Sequence, residues 1–229
     1  MSKKIVKKRK LKVFNLLIVL LVLIGLFFAF YFLFNVPIKN ILIKGTTYLN
    51  DDYIIELAGI KDYPSFLLTS SSKMTKKLLD SEYIEEVKIN KKYGFILEIN
   101  ITENTPIFYN TNTSKYVLSN GKEIKEDNIN SDFNVPRLLN YVPDKKFTQF
   151  IKGMNRIKRE ILLKTSDIEY KPNDYDKDRF LLYMDDGNMV YLTLTKFKTL
   201  NHYNEVLPQL EGHKGILYLD NGNHFEIKE

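Results

Sequence analysis

The sequence predicts an α+β protein in four parts. These are a basic tail at residues 1–12, one transmembrane helix at 13–34, a compact β-α-α-β-β unit at 35–106, and a β-rich unit with two helices at 107–229. Three observations predict it. An uncharged run from Val13 to Phe34 follows seven cations that no acid accompanies. Beyond it, apolar residues alternate at strand period in several short runs and recur at helical spacing in others. Gly, Pro, Asn and Asp punctuate those runs at the places where turns are needed.

The tail cations are Lys3, Lys4, Lys7, Lys8, Arg9, Lys10 and Lys12. At a helical rise of about 1.5 Å per residue, the run after them spans roughly 33 Å, the thickness of a bilayer's hydrocarbon core. The basic flank stays cytoplasmic by the positive-inside rule, which places everything after Phe34 outside. A cleaved signal peptide is opposed by two details. Its apolar region would be about 7–15 residues, and small residues would mark the cleavage site; here the run is longer and ends in Tyr31-Phe32-Leu33-Phe34-Asn35-Val36-Pro37. Tyr31 and the neighbouring phenylalanines suit the outer interface.

The whole chain carries 34 Lys and Arg against 28 Asp and Glu, so without the seven tail cations the exported part is nearly neutral. No basic excess faces outward to meet phosphates, which excludes nucleic acid as a partner. The tail is expected to set topology and touch anionic lipid. Cysteine is absent, so disulfides cannot staple the exported part and ordinary cores must hold it.

In the first unit, Ile38, Ile41 and Ile43 form a short strand that stops at Gly45. Asn50-Asp51-Asp52 offers a cap and an acidic first turn to a helix carrying Ile54, Ile55, Leu57 and Ala58, closed by Gly59. Pro64 and Thr69-Ser70-Ser71-Ser72 mark a loop before a helix with Met74, Leu78 and Leu79. Ile84, Val87 and Ile89 give the next strand. Phe95, Leu97, Ile99 and Ile101 alternate with Ile96, Glu98, Asn100 and Thr102 in the last one, after a turn at Tyr93-Gly94.

Pro106 opens the second unit. Tyr116 to Ile124 reads as a hairpin around Asn120-Gly121, and Val135 to Leu139 as an extended piece. One long helix is expected from Asp144 to about Leu163, with Phe147, Phe150, Ile151, Met154, Ile157 and Ile161 on one stripe. A strand at Ile168 and Tyr170 precedes a hairpin whose arms, Phe180–Met184 and Met189–Leu194, flank Asp185-Asp186-Gly187-Asn188. A shorter helix carries Phe197, Leu200, Tyr203, Leu207 and Leu210. The last two strands, Ile216–Leu219 and His224–Ile227, are joined by Asp220-Asn221-Gly222-Asn223, and the final one is expected at or near a sheet edge.

Catalytic constellations do not emerge: no catalytic, cofactor-binding or metal-binding residue is assigned. His202, His213 and His224 are eleven apart, a spacing that fits no metal-binding face. There is no nucleophile elbow, zinc-binding helix or phosphate-cradling loop. Asp51-Asp52 and Asp185-Asp186 read as a helix start and a hairpin turn. The chain is therefore read as not an enzyme. Two features point to binding. Lys145, Lys152, Arg156 and Arg159 share one face of the expected long helix, most simply a solvated face and otherwise one for an acidic partner or the membrane surface. The C-terminal strands, with Tyr218, Leu219, Phe225 and Ile227, offer an edge to which a partner segment can add.

The order of these features resembles the FtsQ/DivIB family of bacterial cell-division proteins. Ile41-Leu42-Ile43-Lys44-Gly45 resembles the first strand of the family's POTRA domain, Asp52 to Ile60 its first helix, Ile84-Glu85-Glu86-Val87 the start of its second strand, and Phe95 to Pro106 its closing strand with a Glu-x-x-Pro ending. In the second unit Tyr116 to Ile124, Val135-Pro136-Arg137-Leu138 and Gly215 to Leu219 are similar to the family's hairpin, Pro-containing strand and penultimate strand. Two positions depart: either Leu219-Asp220 reverses the family's Asp-Leu pair or Tyr218-Leu219 replaces it, and Tyr93-Gly94 lacks its Pro. The resemblance implies a POTRA-like domain followed by a β-rich partner-binding domain. It also implies a single-pass, non-enzymatic scaffold of the divisome at the division septum. Its partners would be FtsL-type and FtsB/DivIC-type bitopic proteins, bound at the C-terminal sheet edge, in support of septal peptidoglycan synthesis. Competing readings are a membrane-anchored cell-wall enzyme and a chaperone or receptor for exported peptides.

Overall fold

The computed structural model describes residues 13–125 and 133–228. The basic tail at residues 1–12, with its expected topology-setting and lipid-contacting role, lies outside the described residues. Helix α1 (Val13–Phe34) carries no charge, and from Phe14 to Phe34 it is long and apolar enough to cross a membrane. Its side chains are exposed along that whole length.

The remaining elements run β1 (Asn40–Lys44), α2 (Asp51–Ala58), α3 (Ser71–Leu79), β2 (Ile84–Lys92) and β3 (Ile96–Glu103), the expected β-α-α-β-β order. β1 lies parallel to β3, pairing Asn40↔Ile96 through Lys44↔Asn100, and the strand order is β1-β3-β2. Gly45 ends β1 for a steric reason. Its φ is +87°, and a Cβ there would sit 2.1 Å from the Ile101 carbonyl oxygen, so only glycine fits.

Alternation along β3 predicts Glu98 on a solvent face, yet it is only 6% exposed. Two lysines that remain largely exposed themselves pair with it. Lys44 Nζ and Lys92 Nζ stand 2.8 and 2.9 Å from Glu98 Oε2. They hold its carboxyl down at about 2, against a partial desolvation that pushes the other way.

The chain folds into two compact units: residues up to 44 with 51–78 and 87–100, and residues 45–50 with 79–86 and everything from 101 on. The second unit therefore recruits two loops from the earlier part of the chain. Glu103 clamps one of them, accepting from the backbone N–H groups of Thr47, Tyr48 and Leu49 at 2.8–3.2 Å. Tyr48 packs edge-on against Phe133, 5.2 Å between ring centres.

A nine-stranded sheet dominates the second unit. Its strands are β4 (Pro106–Asn110), β5 (Lys115–Leu118), β6 (Glu123–Ile124), β7 (Arg137–Leu138), β8 (Thr165–Tyr170), β9 (Arg179–Met184), β10 (Met189–Thr193), β11 (Gly215–Tyr218) and β12 (His224–Ile227). Among the described residues the order is β12-β11-β10-β9-β8-β7-β4-β5-β6. β4 is not evident from the sequence, where Pro106 reads as a boundary; the proline instead starts the strand, where a missing N–H is tolerated.

The expected long helix is two pieces, α4 (Asp144–Met154) and α5 (Arg159–Leu162). A distant side chain causes the break. Asn201 accepts from Lys158 N–H at 2.7 Å and donates to the Arg156 carbonyl at 2.9 Å, taking the place of helical bonds. Ile157 and Ile161 still reach the core with Phe150 and Met154.

The second expected helix is a 3-10 segment (Leu194–His202), one turn of α6 (Tyr203–Val206) and a closing 3-10 turn (Leu207–Leu210). Leu194, Phe197, Leu200 and Tyr203 are buried at a spacing of three, the 3-10 period. This crossover carries the chain from β10 to β11, which run parallel.

Candidate functional site

β11 reaches the sheet through β10, with Met189↔Ile216, Val190↔Leu217 and Tyr191↔Tyr218 in register. β12 then folds back antiparallel, pairing Gly215↔Ile227, Ile216↔Glu226, Leu217↔Phe225 and Tyr218↔His224. Lys228 N–H donates to the Lys214 carbonyl at 2.9 Å. Antiparallel alternation then makes Ile216↔Glu226 and Tyr218↔His224 the hydrogen-bonded pairs. Phe225 and Ile227 consequently point their N–H and C=O groups away from β11, on the side where no strand follows among the described residues.

Two features hold this edge in place. Gly215 lies against β12 so closely that a Cβ would stand 1.9 Å from the Glu226 carbonyl oxygen. Its N–H donates to Asn188 Oδ1 at 3.0 Å. The Asn188 amide in turn donates to Tyr203 Oη at 3.0 Å, and Tyr203 donates to the Asp186 carboxylate at 2.8 Å. Burial first, and the Asp186 bond second, push the Tyr203 hydroxyl well above the usual phenol range. Asp186 thus serves the hairpin and its support, as its turn position predicts.

The two faces of the edge differ. On one face a ladder crosses four strands. Arg179 stands 3.4 Å over the Tyr191 ring, Tyr191 stacks on Tyr218 at 5.4 Å, and Tyr218 stacks on His224 at 4.6 Å with planes 7° apart. Arg179 is fixed by Asp220 at 2.6 Å. Tyr218 Oη donates to Glu226 at 2.9 Å, which chiefly raises its pKa, with burial adding to the effect. On the other face Leu217 belongs to the core and Phe225 packs partly against it. There Val206, Gln209 and Leu210 of the crossover and Leu217, Phe225 and Ile227 of the edge line an open groove of about 740 Å³.

Three of the four sequence-selected residues, Leu219, Phe225 and Ile227, border this groove: Leu219 from the core at 8% exposed, Phe225 half-buried and Ile227 53% exposed, while Tyr218 lies on the ladder face. Outward main-chain groups, the Gly215 contact and the ladder were not legible as a site. His202, His213 and His224 all border the same groove. Among the described residues no three His, Cys, Asp or Glu side chains come together as a metal cage.

The basic face expected on the long helix does not form as drawn. Lys145, Lys152 and Arg156 are exposed. Arg159 follows the break and turns inward, donating to Tyr48 Oη at 2.8 Å and to the Pro106 and Asn134 carbonyls at 3.0 and 3.3 Å.

Two family models match the chain in the order of its two units. The family model for a POTRA domain, FtsQ-type, matches residues 36–104, and that for cell division protein FtsQ/DivIB, C-terminal, matches residues 107–221. Cell division protein DivIB of Geobacillus kaustophilus is 26% identical over 97% of this chain and 88% of its own. DivIB of Listeria monocytogenes is 25% identical over 96% and 84% respectively. A solved structure of the major extracytoplasmic domain of DivIB from Geobacillus stearothermophilus covers 48% of this chain and 96% of that one, at 23% identity and a TM-score of 0.39.

Proposed function

Because the chain belongs to the FtsQ/DivIB family of cell-division proteins, we propose that it is a non-enzymatic, single-pass membrane scaffold of the divisome that captures bitopic partners on β12. Residues 1–12 form a cytoplasmic tail that touches anionic lipid, 13–34 the anchor, 35–106 a POTRA-like domain and 107–229 the partner-binding domain, with the C terminus outside the cell. The partners are FtsL-type and FtsB/DivIC-type division proteins, gathered at the septum where peptidoglycan is made.

One observation carries this reading: among the described residues β12 is an outermost strand whose Phe225 and Ile227 main-chain groups face away from the sheet. A partner strand added there takes its register from those groups. Its side chains then alternate between the groove beside Phe225 and Ile227 and the ladder face beside Tyr218 and His224. Main-chain bonds supply affinity and the two unlike faces supply selectivity.

Deletion of His224 to Glu229 tests the proposal. Cross-linked, tagged full-length protein should recover small bitopic membrane partners from its host, and the truncated chain should lose them while its first domain keeps its fold. Equal recovery by a folded truncation would discard the β12 site.

A further inference from the structure

The chain does not leave α1 freely. Ser65 Oγ donates to the Phe34 carbonyl, the last residue of the helix. Phe66 N–H donates to the Val36 carbonyl at 2.8 Å, Ile38 N–H donates to the Pro64 carbonyl at 3.0 Å, and Pro37 and Ser65 form an antiparallel bridge. The loop from Tyr63 to Leu68 is thus fastened to the end of the apolar span, all within the first compact unit.

An apolar span that ends at Phe34 puts this loop in the interfacial zone. Headgroups extend the bilayer by about 5–7 Å on each side of the hydrocarbon, and the loop is one hydrogen bond from the last helical residue. Its composition suits that depth. Leu68 is 66% exposed, Leu67 40% and Tyr63 48%, three large exposed side chains on one short loop. Tyr63 adopts φ +48°, a left-handed backbone uncommon for a bulky residue, of the kind retained where function constrains it.

The loop's main chain is served from within, as a low-dielectric setting requires. Leu68 N–H donates to Ser65 Oγ at 3.3 Å, and Thr69 donates to the Ser65 carbonyl through N–H and hydroxyl at 3.0 and 2.6 Å. Lys91 Nζ donates to the Phe66 and Leu67 carbonyls at 2.5 and 3.3 Å. That ammonium also sits 5.2 Å over the Phe66 ring, and at headgroup depth it would face lipid phosphate.

We propose that the Tyr63–Leu68 loop is a second membrane contact: Leu67 and Leu68 enter the outer lipid interface, Tyr63 rests at headgroup level, and the first compact unit is seated on the bilayer. The proposal rests on α1 being the membrane anchor. A lipid surface is favoured over a protein partner because the loop is fastened to the apolar span itself, which brings lipid to it without any further component.

The chain has no cysteine, so single cysteines can be introduced and spin-labelled. Full-length Leu68→Cys, Phe28→Cys and Tyr175→Cys proteins are reconstituted in phosphatidylcholine–phosphatidylglycerol vesicles. Relaxation by oxygen is then compared with relaxation by a water-soluble nickel chelate. Phe28 should report lipid, the fully exposed Tyr175 of the second unit should report water, and Leu68 should show an oxygen preference far closer to Phe28. Lipid at Phe28 with Leu68 indistinguishable from Tyr175 would overturn the loop contact and leave the anchor standing. Water at both would remove the anchor and the loop contact together. A Leu68 label that is shielded only after partner protein is added would also overturn the proposal, assigning the loop to a protein interface.

Discussion

Gly215→Ala should detach the edge strand while leaving the rest of the sheet intact. The added Cβ would stand 1.9 Å from the Glu226 carbonyl oxygen and 2.8 Å from Phe225 Cζ. Ordinary carbon–oxygen contact needs more than 3 Å (Cβ contacts under about 3 Å are essentially never seen), so β12 must retreat by roughly 1 Å or more at Glu226. Hydrogen bonds do not survive such a shift from about 2.9 Å. The Lys228→Lys214 bond and the two bonds of the Ile216↔Glu226 pair would go. At about 1 kcal/mol net for each, the loss is about 3 kcal/mol, confined to a short C-terminal strand. Native-state hydrogen exchange reads this directly, since local opening is resolved residue by residue. Amides of Ile216, Glu226 and Lys228 should lose roughly a hundredfold in protection, while those of Leu181 and Val190 in the middle of the sheet keep theirs. Unchanged protection at Glu226 would refute the close-approach argument, and a uniform loss across the sheet would show that β12 is not separable from the core.

Three other outcomes are expected. Glu98→Gln should remove an acid-sensitive contribution: the Glu98 carboxyl lies at about 2 in the fold against an ordinary 4.5, so its stabilisation is complete above about pH 4.5 and is lost as pH falls toward 2. Urea midpoints of wild type and variant should therefore differ at pH 7 and converge through that window, and a gap independent of pH would contradict the pairing with Lys44 and Lys92. Tyr203→Phe should cost about 1–3 kcal/mol in thermal or urea unfolding, because it leaves the buried Asn188 amide without its hydroxyl partner; a neutral substitution would show that the network does not support Gly215. Arg159→Lys should destabilise the second unit by about 1–2 kcal/mol, since a lysine cannot make three divergent contacts at once, whereas Lys152→Ala on the exposed part of α4 should leave unfolding unchanged.

The order of elements was legible because it rests on local signals. Gly45, Asn120-Gly121 and Asp185 to Asn188 mark real turns, and the apolar runs around Ile41, Leu97 and Phe180 are strands at the expected places. Misreadings arose where a distant residue decided the outcome. Nothing near Arg156 announces that Asn201 will interrupt the helix, so Arg159 looked like part of a solvated stripe. Nothing near Glu98 announces that lysines from β1 and β2 will pair with it. The candidate edge was legible only in outline. Alternation could not say that Leu219 belongs to the core, because that depends on which face of β11 the crossover from Leu194 to Leu210 covers. Main-chain direction at Phe225 and Ile227 carries no sequence signal at all; it follows from register.

The most direct test of a partner adding to β12 is its affinity for three full-length proteins: wild type, Ile227→Ala and Ile227→Pro. The Ile227 N–H points away from β11, so proline there removes an outward donor and sets a ring in the partner's path without breaking the β11–β12 ladder. Nanodisc-reconstituted proteins would be titrated with an FtsB/DivIC-type partner while amide exchange at Ile216 confirms that β12 remains paired. Main-chain capture predicts that proline weakens binding roughly 5- to 150-fold beyond alanine, the equivalent of about 1–3 kcal/mol for one interfacial hydrogen bond left unmade. Equal affinities for the alanine and proline proteins, with Ile216 still protected, would contradict strand addition at this edge.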